Sequence, residues 1–264
     1  PRLVGLSIYS GIPEEHDTIT RILGSWERSM KVAKQLSELA VPMNIKCCVM
    51  QPNLHNYYLV ADLAFKLGAQ PQFEINICDS NEGDTCARQL RLTEEQLQVV
   101  LRDNNISLYV GPEAPNFGGQ PRQMDGVACG AGETSFCITP EGNLQPCCSF
   151  PLSFGNLKNN SLSEILTDNK PLQQWQKHTL LDFTECGRHE YCAYCNLCAG
   201  NGQMEHSDWR KPAENCCYMA KVRYNLAQKM MGGYDPLDGK KFVEALQTLP
   251  KAKVNLQRQY NTKG

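Results

Sequence analysis

The chain has 264 residues, 41% of them hydrophobic and 20% charged, with a net charge of −2. This allows a sizeable core in one large or two modest domains, and the absence of a basic run excludes a nucleic-acid footprint. No apolar stretch reaches the length of a membrane span and no secretory leader is visible, so the expected setting is cytoplasmic, with no membrane partner.

Pro1, not Met, leads directly into the first predicted element, and the chain is expected to be a fragment of something longer. Residues 3–9, LVGLSIY, read as a buried strand. Ser25 reads as the N-cap of a helix to about Ala40, with Trp26, Met30, Ala33, Leu36 and Leu39 on one face. Residues 43–50, MNIKCCVM, read as the second strand. Tyr57, Val60, Ala61, Ala64 and Leu67 mark a helix stopped by Gly68. Phe73, Ile75 and Ile77 alternate as a third strand, and Thr93 with Gln96 forms a capping box for a helix to about Arg102. Alternating strands and helices imply parallel pairing through right-handed crossovers. Three strands are few for a free-standing α/β domain, so this region reads as half of a barrel or of a doubly wound sheet.

Residues 111–126, rich in Gly and Pro, read as a linker. Beyond it, SFCIT and NLQPC flank Pro140-Glu-Gly142 as a hairpin, with Gly142 at the turn. Ser161 and Glu164 cap a short helix. Glu214 to Met231 reads as a helix closed by Gly232-Gly233, with Cys217, Ala220, Tyr224, Ala227 and Met231 on one face. The tail from 239 holds one more helix and then polar residues.

Fourteen cysteines is far above the usual share, and ten of them lie between Cys129 and Cys217. The densest stretch is 185–202, ECGRHEYCAYCNLCAGNG, with Cys186, Cys192, Cys195 and Cys198. Clustered thiols at short spacings in a long chain with an ordinary core point to metal in a reducing compartment rather than to a disulfide framework. Short Cys-x2-Cys turns bring two sulfurs together at little entropic cost, and a distant cysteine completes each set. The hairpin supplies Cys129 and Cys147, and the last long helix begins with Cys216 and Cys217. Two four-thiolate iron–sulfur sites can be built from this set; one tetrahedral zinc site closed by Cys195-x2-Cys198 and a later cysteine is the alternative. Cys47, Cys48, Cys78 and Cys86 read as inert thiols in or beside strands. Cys137, mid-strand, is ambiguous. Cys148 and one of Cys216/Cys217 read as bystanders, because adjacent residues rarely both face one metal.

Cys129, then Gly142-x4-Cys147, then the cysteine loop and a final cysteine resemble the SPASM domain of radical S-adenosylmethionine (SAM) enzymes. That domain has the pattern Cys-x9–15-Gly-x4-Cys, a gap, Cys-x2-Cys-x5-Cys-x3-Cys, a gap, and Cys. Twelve residues separate Cys129 from Gly142 here, within the pattern, while the loop runs x5, x2, x2 and departs from it. GLSIYSGIPEEHDTITRILGSWERSMKVAKQL looks like the fourth strand and helix of the barrel in SPASM-type peptide maturases. VPMNIKCCVMQPN looks like the fifth strand, FEINI like the sixth, and GNLKNNSLSEIL like the segment between the two cysteine groups.

The resemblance implies an α/β fold: the C-terminal part of a partial (β/α)6 radical SAM barrel over 1–110, the linker, a small α+β SPASM iron–sulfur domain over 127–232, and a C-terminal helix and tail over 233–264. It implies a radical SAM enzyme, an oxidoreductase that modifies a ribosomally synthesised peptide (RiPP maturation) by 5′-deoxyadenosyl-radical hydrogen abstraction. The alternatives are an electron-transfer or scaffold iron–sulfur module without radical chemistry, and an anaerobic sulfatase-maturing enzyme. The implied partners are a precursor peptide and an electron donor such as flavodoxin or ferredoxin. The implied cofactors are two auxiliary [4Fe-4S] clusters here, with S-adenosylmethionine and a third [4Fe-4S] in the intact chain. Following chain order in the family, Cys129, Cys147 and Cys198 fall to auxiliary cluster I. Cys186, Cys192, Cys195 and one of Cys216 and Cys217 fall to cluster II, with Cys137 and Cys148 as extra ligands. Ser7, at the end of the first strand, falls where such barrels touch SAM. His16-Asp17 resembles the family's His-Asp pair. The Cys-x3-Cys-x2-Cys that holds the radical cluster does not occur in the 264 residues, so this stretch alone is expected to be inactive. Asp79, Asp84 and Arg88, after the third strand, read as a solvated loop, and Tyr57-Tyr58 and Trp175 as packing.

Overall fold

A computed structural model describes residues 3–80, 84–106, 110–111, 114–115, 123–252 and 254. The chain divides into two compact units. The first holds residues 1–77, 86–116 and 226–264; the second holds 78–85 and 117–225.

In the first unit, β1 (Val4–Ser7), β2 (Met43–Cys48) and β3 (Gln70–Glu74) form a parallel sheet in the order β1-β2-β3. Leu6 pairs with Ile45 and Ile45 with Pro71, while Cys47 pairs with Phe73. These side chains share the buried face, on which α2 (Ser25–Glu38) lays Met30 and Ala33 and α3 (Leu59–Lys66) lays Val60 and Ala64. The alternate row, Gly5, Ser7, Lys46, Gln72 and Glu74, makes an exposed polar face. A parallel sheet in an α/β domain is normally buried on both sides; here one side is apolar and the other is polar, as the inner wall of a partial barrel is. Ser7 therefore lies exposed at the end of β1, where its hydroxyl meets that of Tyr9.

The third strand begins at Gln70, three residues before the predicted start, and ends at Glu74. Ile75 is buried just past it, so its apolar character marks burial and not ladder pairing. Gly68 stops α3 with φ +66°, as expected. α4 (Glu94–Val100) carries the expected Thr93–Gln96 capping box. Asp79 is 7% exposed, a correction to the solvated-loop reading, whereas Asp84 is exposed. Cys47 is buried, but Cys86 is exposed.

α1 (Pro13–Thr20) brings His16 and Asp17 to different tasks. His16 is buried, and its Nδ1 accepts the Tyr9 N–H. Ser25 is the first residue of α2, not its cap; Gly24, at φ +73°, takes the cap position. The cap's chemistry comes from Asp17, whose Oδ2 accepts the Gly24 N–H at 2.6 Å and whose Oδ1 accepts the Trp26 N–H at 2.9 Å and the Ser25 hydroxyl at 2.9 Å. A carboxylate at a helix N-terminus satisfies orphan donors and meets the positive end of the dipole. These bonds hold the Asp17 carboxyl below its ordinary pKa, the Trp26 N–H contributing most. Its stabilisation is thus complete above the ordinary carboxylate range and is lost as pH falls through the lowered value. Asp17→Ala is expected to lower the melting temperature at neutral pH, and the gap to the unaltered chain should close in strong acid, as followed by circular dichroism.

Between α4 and the second unit, β4 (Val110–Gly111) and β5 (Ala114–Pro115) form a short antiparallel ladder. Most of the predicted linker, 112–113 and 116–122, lies outside the described residues. The second unit opens on the predicted hairpin, β6 (Cys137–Ile138) and β7 (Asn143–Gln145), turned by Gly142 at φ +91°. β8 (Gly155–Asn156) adds a third antiparallel strand, too short to leave a periodic signal. α5 (Leu162–Asp168) has the Ser161–Glu164 capping box, and α6 (Lys170–Gln176) follows it as a helix beyond those expected. Trp175 on α6 is core, 4% exposed, beside Phe150, Leu172, Leu180 and Phe183.

α7 (Ala199–His206) and α8 (Glu214–Met231) complete the unit, α8 with the predicted bounds. Its buried face is Cys216, Met219, Ala220, Val222, Leu226 and Ala227, while Met231 is 65% exposed, so the buried stripe is rotated from the predicted one. Residues from Leu226 onward, with α9 (Phe242–Thr248), belong to the first unit. There the Leu249 carbonyl meets His55 Nε2 and the Pro250 carbonyl accepts from Gln96. The tail residues 253 and 255–264 lie outside the described ones. Among the described residues no helix is long and apolar enough to cross a membrane.

Candidate metal centre

Among the described residues the cysteines are not paired off in disulfides, and the second unit gathers most of them into two groups. The first forms where α7 meets the turn after β7. Cys147 opens that turn, closed by an isolated bridge to Phe150. Cys198 is the N-cap of α7, its sulfur accepting the Asn201 N–H at 3.4 Å. Burial raises the Cys147 thiol most, the Ser149 N–H opposes this, and Cys198, Cys148 and Cys129 push it further up. Cys198 is likewise raised by burial, eased by the Asn201 and Gly200 N–H groups, and raised by Cys129 and Cys148. Cys129 and Cys148 thus both bear on Cys147 and on Cys198. Cys148, expected as a bystander or extra ligand, stands in this group; Cys137 sits half-buried on β6 across from Gln145.

Gly200 makes the approach between the two segments. A Cβ on it would collide with the carbonyl oxygen of Ser149, which is backbone and cannot swing away. No side chain but hydrogen fits, so α7 packs directly on the 147–150 turn and brings Cys198 to Cys147.

The second group surrounds a cavity. Cys186, Cys192, Cys195 and Cys217 line it, with Leu180, Leu197 and Pro212 as apolar wall. Cys186 is pushed up to about 12, by burial first and then by Cys195, Cys217 and Cys192. Cys217 is raised by burial and by Cys192, with Lys221 opposing. Cys186 and Cys217, held neutral by burial, are in a poor resting state for isolated thiols. A cationic metal core reverses that preference, because the thiolate is the ligand form. The loop bearing Cys192 is a 3-10 turn, Glu190–Tyr194, tied to α8 by Tyr224 Oη to Glu190 at 2.6 Å and by Arg223 to the Tyr194 carbonyl at 3.3 Å.

Consecutive residues on an α-helix point about 100° apart, and Cys216 and Cys217 follow that rule. Cys217 faces the cavity. Cys216 is 5% exposed, accepts the Asn201 Nδ2–H at 3.6 Å, and feels Cys195 and Cys198. The structure thus separates two residues that spacing leaves interchangeable. Among the described residues no three His, Cys, Asp or Glu side chains converge tightly enough for one ion. Sulfurs spread around a shared cavity suit a polynuclear core better than a single zinc.

Sequence reasoning misses Gly200, Asn201 and α7 itself. Two glycines in four residues read as loop, and cysteine is not a usual N-cap. The usable signal is the periodic approach of Cys198 and Gly202, one helical turn apart.

The sequence matches the SPASM family, described as an iron–sulfur cluster-binding domain, over residues 129–199. Among curated proteins it is 27% identical over 232 residues to the antilisterial bacteriocin subtilosin biosynthesis protein AlbA of Bacillus subtilis (strain 168), covering 83% of this chain and 49% of that protein. It is 23% identical over 231 residues to the AdoMet-dependent heme synthase of Nitratidesulfovibrio vulgaris, covering 77% of this chain and 61% of that one. The chain thus spans about half to three-fifths of these relatives. Among solved structures, native anSMEcpe with bound AdoMet and Cp18Cys peptide superposes with a TM-score of 0.55 at 16% identity, covering 88% of this chain and 68% of that one. That likeness establishes the fold.

Proposed function

From a chain that carries a SPASM iron–sulfur cluster-binding domain and resembles the C-terminal portion of radical SAM/SPASM peptide maturases, we propose that it is the auxiliary-cluster half of an enzyme that modifies a peptide. The observation that carries this reading is the cavity walled by Cys186, Cys192, Cys195 and Cys217. These four would hold one [4Fe-4S] cluster, and Cys129, Cys147, Cys148 and Cys198 another. Such clusters, when bound, supply one-electron chemistry at potentials set by burial and by hydrogen bonds to sulfur.

The chain's own residues do the rest. Leu180, Leu197 and Pro212 exclude water from one side of the cavity. The Asn201 and Gly200 N–H groups stabilise charge on Cys198. The exposed polar row ending at Ser7, Lys46 and Gln72 is the wall of the barrel interior, and Ser7 is the residue assigned to SAM. In the intact enzyme a 5′-deoxyadenosyl radical derived from SAM would abstract hydrogen from the peptide. A peptide substrate is favoured by the peptide-bound structural neighbour and by the bacteriocin-biosynthesis relative. Flavodoxin or ferredoxin would supply electrons.

Anaerobic reconstitution with iron and sulfide tests the reading. Up to about eight irons per chain, with an electron paramagnetic resonance signal on reduction, is the expected result. A colourless protein holding one or two zincs would reverse it. Retained iron in a full-length chain without Cys-x3-Cys-x2-Cys would favour the electron-transfer module instead.

A further inference from the structure

The two groups of thiols share one unit, but their surroundings differ in kind. At the first group the sulfurs face donors. Cys198 caps α7, and its sulfur accepts the Asn201 N–H at 3.4 Å, with the Gly200 N–H as a second donor. The Ser149 N–H serves Cys147. The positive end of the α7 dipole acts in the same sense. Cys148, in this group, is exposed to solvent.

The cavity presents the opposite sign. The Cys195 sulfur lies 3.7 Å from the Cys216 carbonyl oxygen, an acceptor that opposes negative charge on that sulfur. Glu185 stands in the cavity lining, and Glu205, its side chain 2% exposed, adds a second carboxylate. Beyond burial and Cys192, Cys217 is raised by Glu185 and Glu205, while Lys221 opposes them. The Lys221 Nζ sits 5.1 Å from the centroid of the Tyr191 ring. Lys221 is exposed, so water and salt screen its charge, whereas Glu205 is shielded. Cys186 is 7% exposed.

We infer that the first group is the electron sink of the pair: its core takes up an electron at a more positive potential than the core in the cavity. This rests on the two-cluster reading above. Reduction adds one negative charge to a core. N–H donors and solvent near the sulfurs favour that charge, and carboxylates and a carbonyl oxygen oppose it. Hydrogen bonding, fixed charge and solvent access all point one way. In the transfer the cavity core is oxidised by one electron and the first core is reduced by it, with no bond made or broken. The path is short, because Cys195 and Cys198 lie three residues apart in the two groups and Cys216 feels both.

Potentiometric titration of the reconstituted full chain, followed by electron paramagnetic resonance, tests the order. Two one-electron waves are expected, at least tenfold apart in the ratio of reduced to oxidised core, or about 59 mV. Cys217→Ala, which strips a cavity ligand, should remove the more negative wave and leave the more positive one. Glu185→Gln and Lys221→Met change no proposed ligand, so they identify the waves with both cores in place. Glu185→Gln should move only the negative wave upward and Lys221→Met should move only that wave downward. Each shift should be about two- to fivefold in the same ratio, and smaller at high salt. Coincident waves, loss of the positive wave in Cys217→Ala, or movement of the positive wave in the two charge variants would overturn the inference and leave the two clusters standing. An iron count far below about eight would overturn the two-cluster reading and this inference with it.

Discussion

On the proposed two-cluster reading, Cys217→Ala is expected to halve the iron retained after anaerobic reconstitution, from about eight atoms to about four, and Cys216→Ala to leave it unchanged. The two thiols are neighbours in sequence and both are shielded, yet only Cys217 lines the cavity with Cys186, Cys192 and Cys195. Cys216 turns toward Asn201, which donates to its sulfur. Losing Cys217 would leave three thiols in the proposed four-thiolate site; losing Cys216 removes a packed core thiol and an acceptor of the Asn201 amide hydrogen. Iron and sulfide quantitation with the resonance spectrum of the reduced protein separates the two. Equal losses in both variants, or a loss confined to Cys216→Ala, would mean that the ligand set is wrongly drawn.

Gly200→Ala is the largest effect expected from adding a single methyl group. Alanine is the better helix former by about 1 kcal/mol, so propensity alone predicts a stabler α7. The new methyl would instead meet the Ser149 carbonyl oxygen, and overpacking against a fixed group costs about 1–3 kcal/mol or more. The clash wins, because backbone on both sides must move. α7 then lifts from the 147–150 turn, and Cys198 withdraws from Cys147. Denaturant unfolding should show the lost stability, and the iron of the first group should go with it while that of the cavity stays. A stability gain would show that the contact relaxes freely.

Much of the first unit is legible in the residues alone. Period and punctuation carry it: apolar Leu6, Ile45 and Phe73 against polar Lys46 and Gln72 mark the parallel strands, and Gly68 and Thr93 place two helix ends. The cysteine pattern carries the nature of the site, since hairpin, loop and long helix each have to deliver thiols. What local reading cannot reach is whatever depends on a contact distant in sequence. Asp17 caps a helix that begins eight residues later, so local pattern credits Ser25. Ile75 is buried without being paired, so alternation overruns the strand. Asp79 is buried, which no local feature announces. The division between Cys216 and Cys217 needs the azimuth of α8, and adjacent letters do not record one.

The sulfur that caps α7 ties secondary structure to cofactor supply. A thiol is a feeble cap, but a thiolate puts negative charge at the positive end of the helix and accepts from its first turn at full strength. If Cys198 holds iron as proposed, binding would deprotonate it, and the same event would firm up the start of the helix it caps. A copy starved of iron would then keep the weaker thiol cap and be the more open to proteolysis at that point. Cellular clearance could therefore discriminate between loaded and empty molecules with no dedicated sensor, by the integrity of one eight-residue helix.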